Sequence, residues 1–156
     1  LQVGADDYIP KPFSMAVITA KIKNLFRTRH QVIEHYSNSL EVEPEKVALN
    51  PMDEELLKKA IAVVEKHMDD VEFSTDDFAR EMYMSRSNLH IKMKALTGES
   101  TNEFIRKIRF SRACKLLKEG RYSVSEISTM VGFNTPSYFA TSFKKYFGCL
   151  PSEYGK

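Results

Sequence analysis

The stretch that most constrains this chain is residues 123–148, SVSEISTMVGFNTPSYFATSFKKYFG. Ser123 with Glu126 three positions on forms a capping box, so a helix starts there. Val124, Ile127, Ser128 and Val131 give that helix one inward face. Gly132 ends it, because glycine enters the left-handed conformation of a helix C-terminus without steric cost. Phe133 is too apolar for a free loop. Thr135-Pro136 then opens a second helix, with threonine as N-cap and proline at the first helical position. Phe139, Phe143 and Phe147 recur every four residues and point inward. Ser137, Tyr138, Thr141, Ser142, Lys144 and Lys145 point outward. Two readings fit: a helix-turn-helix with a polar, cationic outer face, or an ordinary hairpin in an all-α core.

The plan occurs twice. In residues 73–98, FSTDDFAREMYMSRSNLHIKMKALTG, Ser74 and Asp77 open a helix with Phe78, Ala79 and Met82 inward. Tyr83-Met84 make the turn, which lacks glycine and is the weaker signal. Ser85 caps a second helix whose Leu89, Met93 and Leu96 face in, and Gly98 ends it. Between the copies, Ser100 and Glu103 open one long helical pattern closed by Gly120, with Phe104, Ile105, Ile108, Ala113, Leu116 and Leu117 as its apolar positions.

The runs LTGESTNEFIRKIRFSRACKLLKEG and VSEISTMVGFNTPSYFATSFKKYFGCLPSEY resemble the DNA-binding domain of AraC/XylS-type transcription regulators, over roughly residues 53–154. The resemblance implies an all-α fold in which a long rigid helix joins two helix-turn-helix units. One monomer then presents two recognition helices to successive major-groove segments. A connecting helix of some twenty residues spans about 30 Å, comparable with the roughly 34 Å between successive groove faces.

On that reading the first recognition helix offers Arg86, Ser87, Asn88, His90, Ile91 and Lys94 to DNA. Asparagine and histidine suit base edges, while arginine and lysine suit bases or phosphates. Ile91 departs from relatives, which commonly carry a basic residue there; an isoleucine suits a thymine methyl. The second helix offers Asn134, Ser137, Tyr138, Thr141, Lys144 and Lys145. With few charges near its start, it is expected to rely on phosphate contacts and its N-terminal dipole. Arg106 and Arg109, with Lys107 and Arg112 beside them, are the phosphate-backbone candidates on the connecting helix.

Charge supports a division of labour. The net charge of +2 splits into 9 basic against 13 acidic residues over 1–73, and 14 against 8 over 74–156. A basic half following an acidic half suits nucleic-acid binding by the former. The two cysteines, Cys114 and Cys149, have no metal or redox spacing and read as free thiols in a reducing cytoplasm. No apolar run is long enough to span a membrane, and no signal peptide is expected.

The opening, LQVGADDYIPKPFSMAVITAKIKNLFRTR, reads as a turn and short strand over Gly4–Ile9, then a helix from about Ser14 to Arg29. Val17, Ile18, Ile22, Leu25 and Phe26 stripe that helix. GADDYIPKPF is similar to the end of a response-regulator receiver domain. The resemblance implies that Lys11 is the lysine that contacts the phosphoryl group and that the Lys11–Pro12 bond is a candidate cis peptide. The acceptor aspartate would lie upstream; Asp6 and Asp7 do not replace it. The exposed stripe suits pairing with a second copy, a homodimer. Residues 37–52, with Glu41, Glu43, Glu45, Pro44 and Pro51, read as an extended, solvated linker. Asp53 is expected to cap a helix over Glu54–Met68, striped by Leu57, Ile61, Val64 and Met68. His30 and His35 lack metal-ligand partners and read as surface residues.

The expected organisation is a receiver remnant over 1–36, a linker over 37–52 and a double helix-turn-helix domain over 53–156. The expected function is sequence-specific binding of double-stranded DNA as the output of a two-component regulator, and the resemblance points to the hybrid subclass. The alternative is a helical protein-interaction module without DNA binding. No nucleophile-base pair, glycine-rich phosphate loop or metal cluster is legible, so no enzyme is expected in this segment; the resemblance assigns histidine kinase activity to a longer protein. No cofactor, metal or small-molecule ligand is expected.

Overall fold

Helix α1 spans Met15–Asn38 and begins where Ser14 Oγ accepts a hydrogen bond from the Val17 N–H at 3.3 Å. The computed structural model describes residues 8–155, and of Ser37 and Asn38 the backbone alone. α1 is longer than the expected helix ending near Arg29. Nothing between Arg29 and Tyr36 breaks a helix, and Val32, Ile33 and Tyr36 continue its apolar pattern onto a surface that covers Tyr36. The turn expected over Gly4–Asp7 lies outside the described residues. Tyr8–Pro10 form no strand, and there is none among the described residues; a lone strand has no ladder to join. The Lys11–Pro12 bond is cis, and Lys11 sits in the exposed bend before α1.

The connection that follows is folded rather than extended. A short helix, α2 (Pro44–Val47), buries Pro44 and Val47, and Val42 and Ala48 pack partly against the core. Helix α3 (Pro51–Lys66) starts earlier than Asp53. Asn50 is its N-cap, accepting from the Asp53 N–H at 3.0 Å, and Pro51 takes the first helical position. Its buried face is Leu57, Ala60, Val63 and Val64, with Ile61 and Met68 half-buried beside it.

The remaining helices follow the capping pattern: α4 (Thr75–Glu81), α5 (Arg86–Thr97), α6 (Thr101–Glu119), α7 (Val124–Met130), α8 (Pro136–Phe147) and α9 (Pro151–Tyr154). Reciprocal capping boxes join Ser74 to Asp77, Ser100 to Glu103 and Ser123 to Glu126. Helices α5, α6 and α8 each end on a left-handed glycine, Gly98, Gly120 and Gly148.

Helix α6 is the shared spine. Phe104, Ile105 and Ile108 enter a first core with Leu57, Val64, Phe78, Leu89 and Met93. Phe110, Ala113, Cys114 and Leu116 enter a second with Ile127, Val131, Phe133, Phe139 and Phe143. Because different faces serve different cores, α6 lacks the single apolar stripe of a surface helix. Met68 touches both cores.

The molecule repeats itself around that spine. A long helix, α3 or α6, is followed by a helix-turn-helix, α4–α5 or α7–α8. Both turns close through a hydrogen bond spanning five residues: Met84 N–H to Ala79 O and Phe133 N–H to Ser128 O, each 3.0 Å. Tyr83 and Gly132 occupy the matching left-handed positions, at φ 56° and 73°. Even the ends correspond. Leu150 N–H donates to Glu153 at 2.8 Å at the start of α9, as Ser100 N–H donates to Glu103 at 2.7 Å at the start of α6.

Candidate nucleic-acid interface

Helix α5 buries Leu89, Met93 and Leu96, so the intervening positions are forced outward. Arg86, Ser87, Asn88, His90, Ile91 and Lys94 are all exposed, and Lys92 and Ala95 with them. Ile91 is 64% exposed on an otherwise polar face. Arg86 is partly engaged: its guanidinium stands 3.5 Å from Asp76 on α4. Ion pairs this exposed are worth little and yield readily to a phosphate.

Helix α8 buries Phe139 and Phe143, which turns Ser137, Tyr138, Thr141, Lys144 and Lys145 outward; Asn134 is exposed just before it. The Thr141 hydroxyl donates to Ser137 O at 2.9 Å, leaving its lone pairs free to accept. Lys144 and Lys145 lie in the last turn, so the start of α8 is uncharged.

Three hollows run along α6 and join these two faces. The first is lined by Arg86, Ser87, His90, Ile91 and Asn102. The second is lined by Asn102, Arg106, Asn134 and Tyr138. The third holds Arg106, Tyr138, Thr141 and Lys145, together with the acidic Glu99 and Glu103. Asn102 lines both the first and second hollows, and Arg106 and Tyr138 line both the second and third. Asn102 was not among the residues expected from sequence. Its signal was its place one helical turn before Arg106 on the same face of α6.

Two cations expected at phosphates are engaged elsewhere. Arg109 lines the second hollow and acts there as a clasp. Its Nη1 donates to Gly132 O at 2.9 Å, and its Nη2 donates to Asp70 O at 2.6 Å and to His67 O at 3.5 Å. It thus ties the end of α3 to the turn of the second unit, and burial pulls its pKa below the ordinary value. Lys107 is fully buried. Its Nζ donates to Tyr36 O, stands 3.5 Å from the centre of the Tyr36 ring and lies 3.3 Å from Glu99 Oε1. Burial lowers the Lys107 pKa and raises that of Glu99, and each group's charge opposes the other's shift. Arg106 and Arg112 remain exposed, but Arg112 lies in a hollow with Glu65 and Met68, away from the groove. His30 and His35 are exposed. Among the described residues no cluster of His, Cys, Asp or Glu is placed to hold a metal, and no helix is long and apolar enough to cross a membrane.

Comparison with known proteins agrees with this architecture. The family described as "Helix-turn-helix domain" matches residues 78–156, half of the chain. Histidine kinase P4 of Formosa agariphila is 40% identical over 154 residues, which is 99% of this chain and 11% of that protein. The chain thus spans about a tenth of that relative's length. The C-terminal domain of AraT, a response regulator from Geobacillus stearothermophilus, is 29% identical with a TM-score of 0.59, covering 64% of this chain and 83% of the other. The DNA-binding domain of AdpA, solved in complex with a target DNA, is 27% identical with a TM-score of 0.58, covering 64% and 88%. The chain belongs to the AraC-type helix-turn-helix family of DNA-binding transcription regulators.

Proposed function

We propose that this chain reads duplex DNA with α5 and α8 in successive major-groove segments, and that α6 sets their separation. The observation that carries the reading is the row of adjoining hollows along α6, in which Asn102 and Arg106 stand between the outward faces of both helices. At 19 residues α6 is about 28 Å long, close to the spacing of successive groove faces on one side of B-DNA. The contacting residues are Arg86, Ser87, Asn88, His90, Ile91 and Lys94 on the first helix. On the second they are Asn134, Ser137, Tyr138, Thr141, Lys144 and Lys145, with Arg106 on the intervening phosphates.

We further propose that the chain is the output segment of a hybrid two-component regulator acting in the cytoplasm. Residues 1–36 close a receiver in which Lys11 serves the phosphoryl group, residues 37–52 connect, and residues 53–156 bind DNA. Phosphorylation upstream would change how copies pair through the exposed stripe of α1, whose Val17, Ile22, Leu25 and Phe26 remain uncovered. The kinase-named relative, matched over nearly the whole chain, supports this context.

The test is a gel-shift series against salt. Each phosphate contact contributes about −0.9 to the slope of log K against log salt. The reading expects a steep slope, and losses of sequence preference in R86A, H90A and K94A. A flat salt dependence, or footprints unchanged in all three variants, would contradict it.

A further inference from the structure

The second half of α1 is fastened by hydrogen bonds to the end of one recognition helix, whereas toward the other only Tyr36 comes close enough to interact, with Tyr146 of α8. Arg29, Ile33 and Tyr36 recur at i, i+4 and i+7 and share one face of α1. Arg29 Nη1 donates to Val47 O at 2.8 Å; Nη2 donates to Ala95 O at 2.7 Å and to Leu96 O. Ala95 and Leu96 lie in the last turn of α5, where carbonyls lack intrahelical partners. A guanidinium there supplies both donors and a charge matched to the negative end of the helix dipole. One turn further along α1, Ile33 closes over Gly98: a Cβ at that glycine would lie 2.5 Å from Ile33 Cγ2. One turn beyond, Tyr36 is held by Lys107, itself paired with Glu99 just past the end of α5.

At the matching end of α8 nothing covers the glycine. Gly148 corresponds to Gly98, and a Cβ there would meet nothing within 4 Å. Arg29 was absent from every sequence-based candidate set because its partners are backbone carbonyls distant in sequence, those on α5 more than sixty residues away.

We infer that Arg29 is a positioning residue for the first recognition helix, and that movement of α1 changes how α5, but not α8, meets DNA. The fork from one guanidinium to Val47, Ala95 and Leu96 locks α1, the connection and α5 into one body. A displacement of α1 therefore acts first on the end of α5, through three hydrogen bonds, while α8 packs on α7 and α9 and meets α1 only through Tyr36 beside Tyr146. The inference rests on the proposed reading that α5 contacts DNA.

The experiment uses the full chain and a duplex bearing its selected site, with quantitative footprinting of each half-site. H90A and Y138A identify which half-site belongs to α5 and which to α8. R29A is expected to weaken protection roughly tenfold, a magnitude ordinary for coupled sites, at the α5 half-site alone. R29K keeps the charge and much of the packing but cannot fork across several carbonyls, so it should show the same asymmetry at smaller amplitude. Equal losses at both half-sites, or no loss in either variant, would overturn the inference. If H90A weakens its half-site and neither Arg29 variant does, the inference alone falls. If H90A also changes nothing, the reading of α5 fails and takes the inference with it.

Discussion

The two helix-turn-helix units share a plan and differ in what stiffens them. The second is an aromatic block: the Phe110 ring lies 5.6 Å from Phe133, 5.7 Å from Phe143 and 5.6 Å from Phe147, and Phe143 in turn meets Tyr154 at 5.4 Å. Its turn is buried, with Gly132 pressed against Met68 O and the Arg109 guanidinium. The first has a mixed aliphatic core in which Phe78 and Phe104 stack at 6.2 Å. Its turn is exposed, with Tyr83 at positive φ and its ring open to solvent beside Lys59. The second unit is thus held chiefly by its own aromatic packing, with Arg109 tying its turn to the end of α3, whereas the end of the first recognition helix is held by α1. Similar local geometry is reached by internal packing in one case and by tethering in the other.

The largest expected effect separates the cores. F110A should cost about 4 kcal/mol of unfolding free energy, in the middle of the range for phenylalanine truncation, because it empties the centre of the aromatic block. F104A should cost about 3 kcal/mol, since fewer rings lose a partner. Chemical denaturation of both variants checks this, and a larger loss in F104A would break the contrast. The turns come next. G132A forces a Cβ to 2.6 Å from the Met68 carbonyl at positive φ, which should cost about 3 kcal/mol. Y83G relieves a left-handed residue worth about 1–2 kcal/mol, and loses about 0.5–1 kcal/mol of exposed cation–π contact with Lys59. Its net change should stay within about 1 kcal/mol. Thermal melts of the two variants should therefore diverge sharply.

DNA contacts give a smaller but more diagnostic difference. H90A should lose about 1–3 kcal/mol against the best site and relax its sequence preference, whereas K145A should weaken all sequences alike and reduce the salt slope by about one unit. The reverse pattern would exchange the roles assigned to α5 and α8.

The mildest prediction concerns acid. The Asp77 and Glu126 carboxylates are held below their ordinary pKa first by hydrogen bonds from Ser74 and Ser123, and Glu103 by those from Ser100. A depressed folded-state pKa means this stabilisation is complete above the unfolded value, about 4. It is lost as pH falls through the lower folded value. Both units carry the device, so D77N and E126Q should each flatten the acid limb of a stability-versus-pH curve. A response from only one of them would reveal a further difference between the units.

Most of the helical framework was legible because its boundaries are local chemistry. Ser74, Ser100, Ser123 and Thr135 cap, Gly98, Gly120 and Gly148 terminate, and each lies beside the helix it bounds. The outward faces of α5 and α8 followed from their inward Leu89, Met93, Phe139 and Phe143. The illegible parts were tertiary. Lys107 and Arg109 look like surface cations until α6 is seen to be covered on more than one side. Residues 37–52 are acidic and proline-marked, yet Val47 is buried because the connection packs against both α1 and α3. Tyr83 carries no signal of its left-handed backbone, since glycine is the usual marker of that conformation. Asn102 becomes a groove residue only once α5 and α8 flank α6.

The central claim is that one rigid spine presents two reading helices to one side of the duplex. Footprinting on a site selected from random duplexes tests it most directly. The account predicts two protected segments about 10.5 base pairs apart on one face of the DNA, one sensitive to H90A and the other to Y138A. A single protected segment sensitive to both, or two lying on opposite faces, would contradict it.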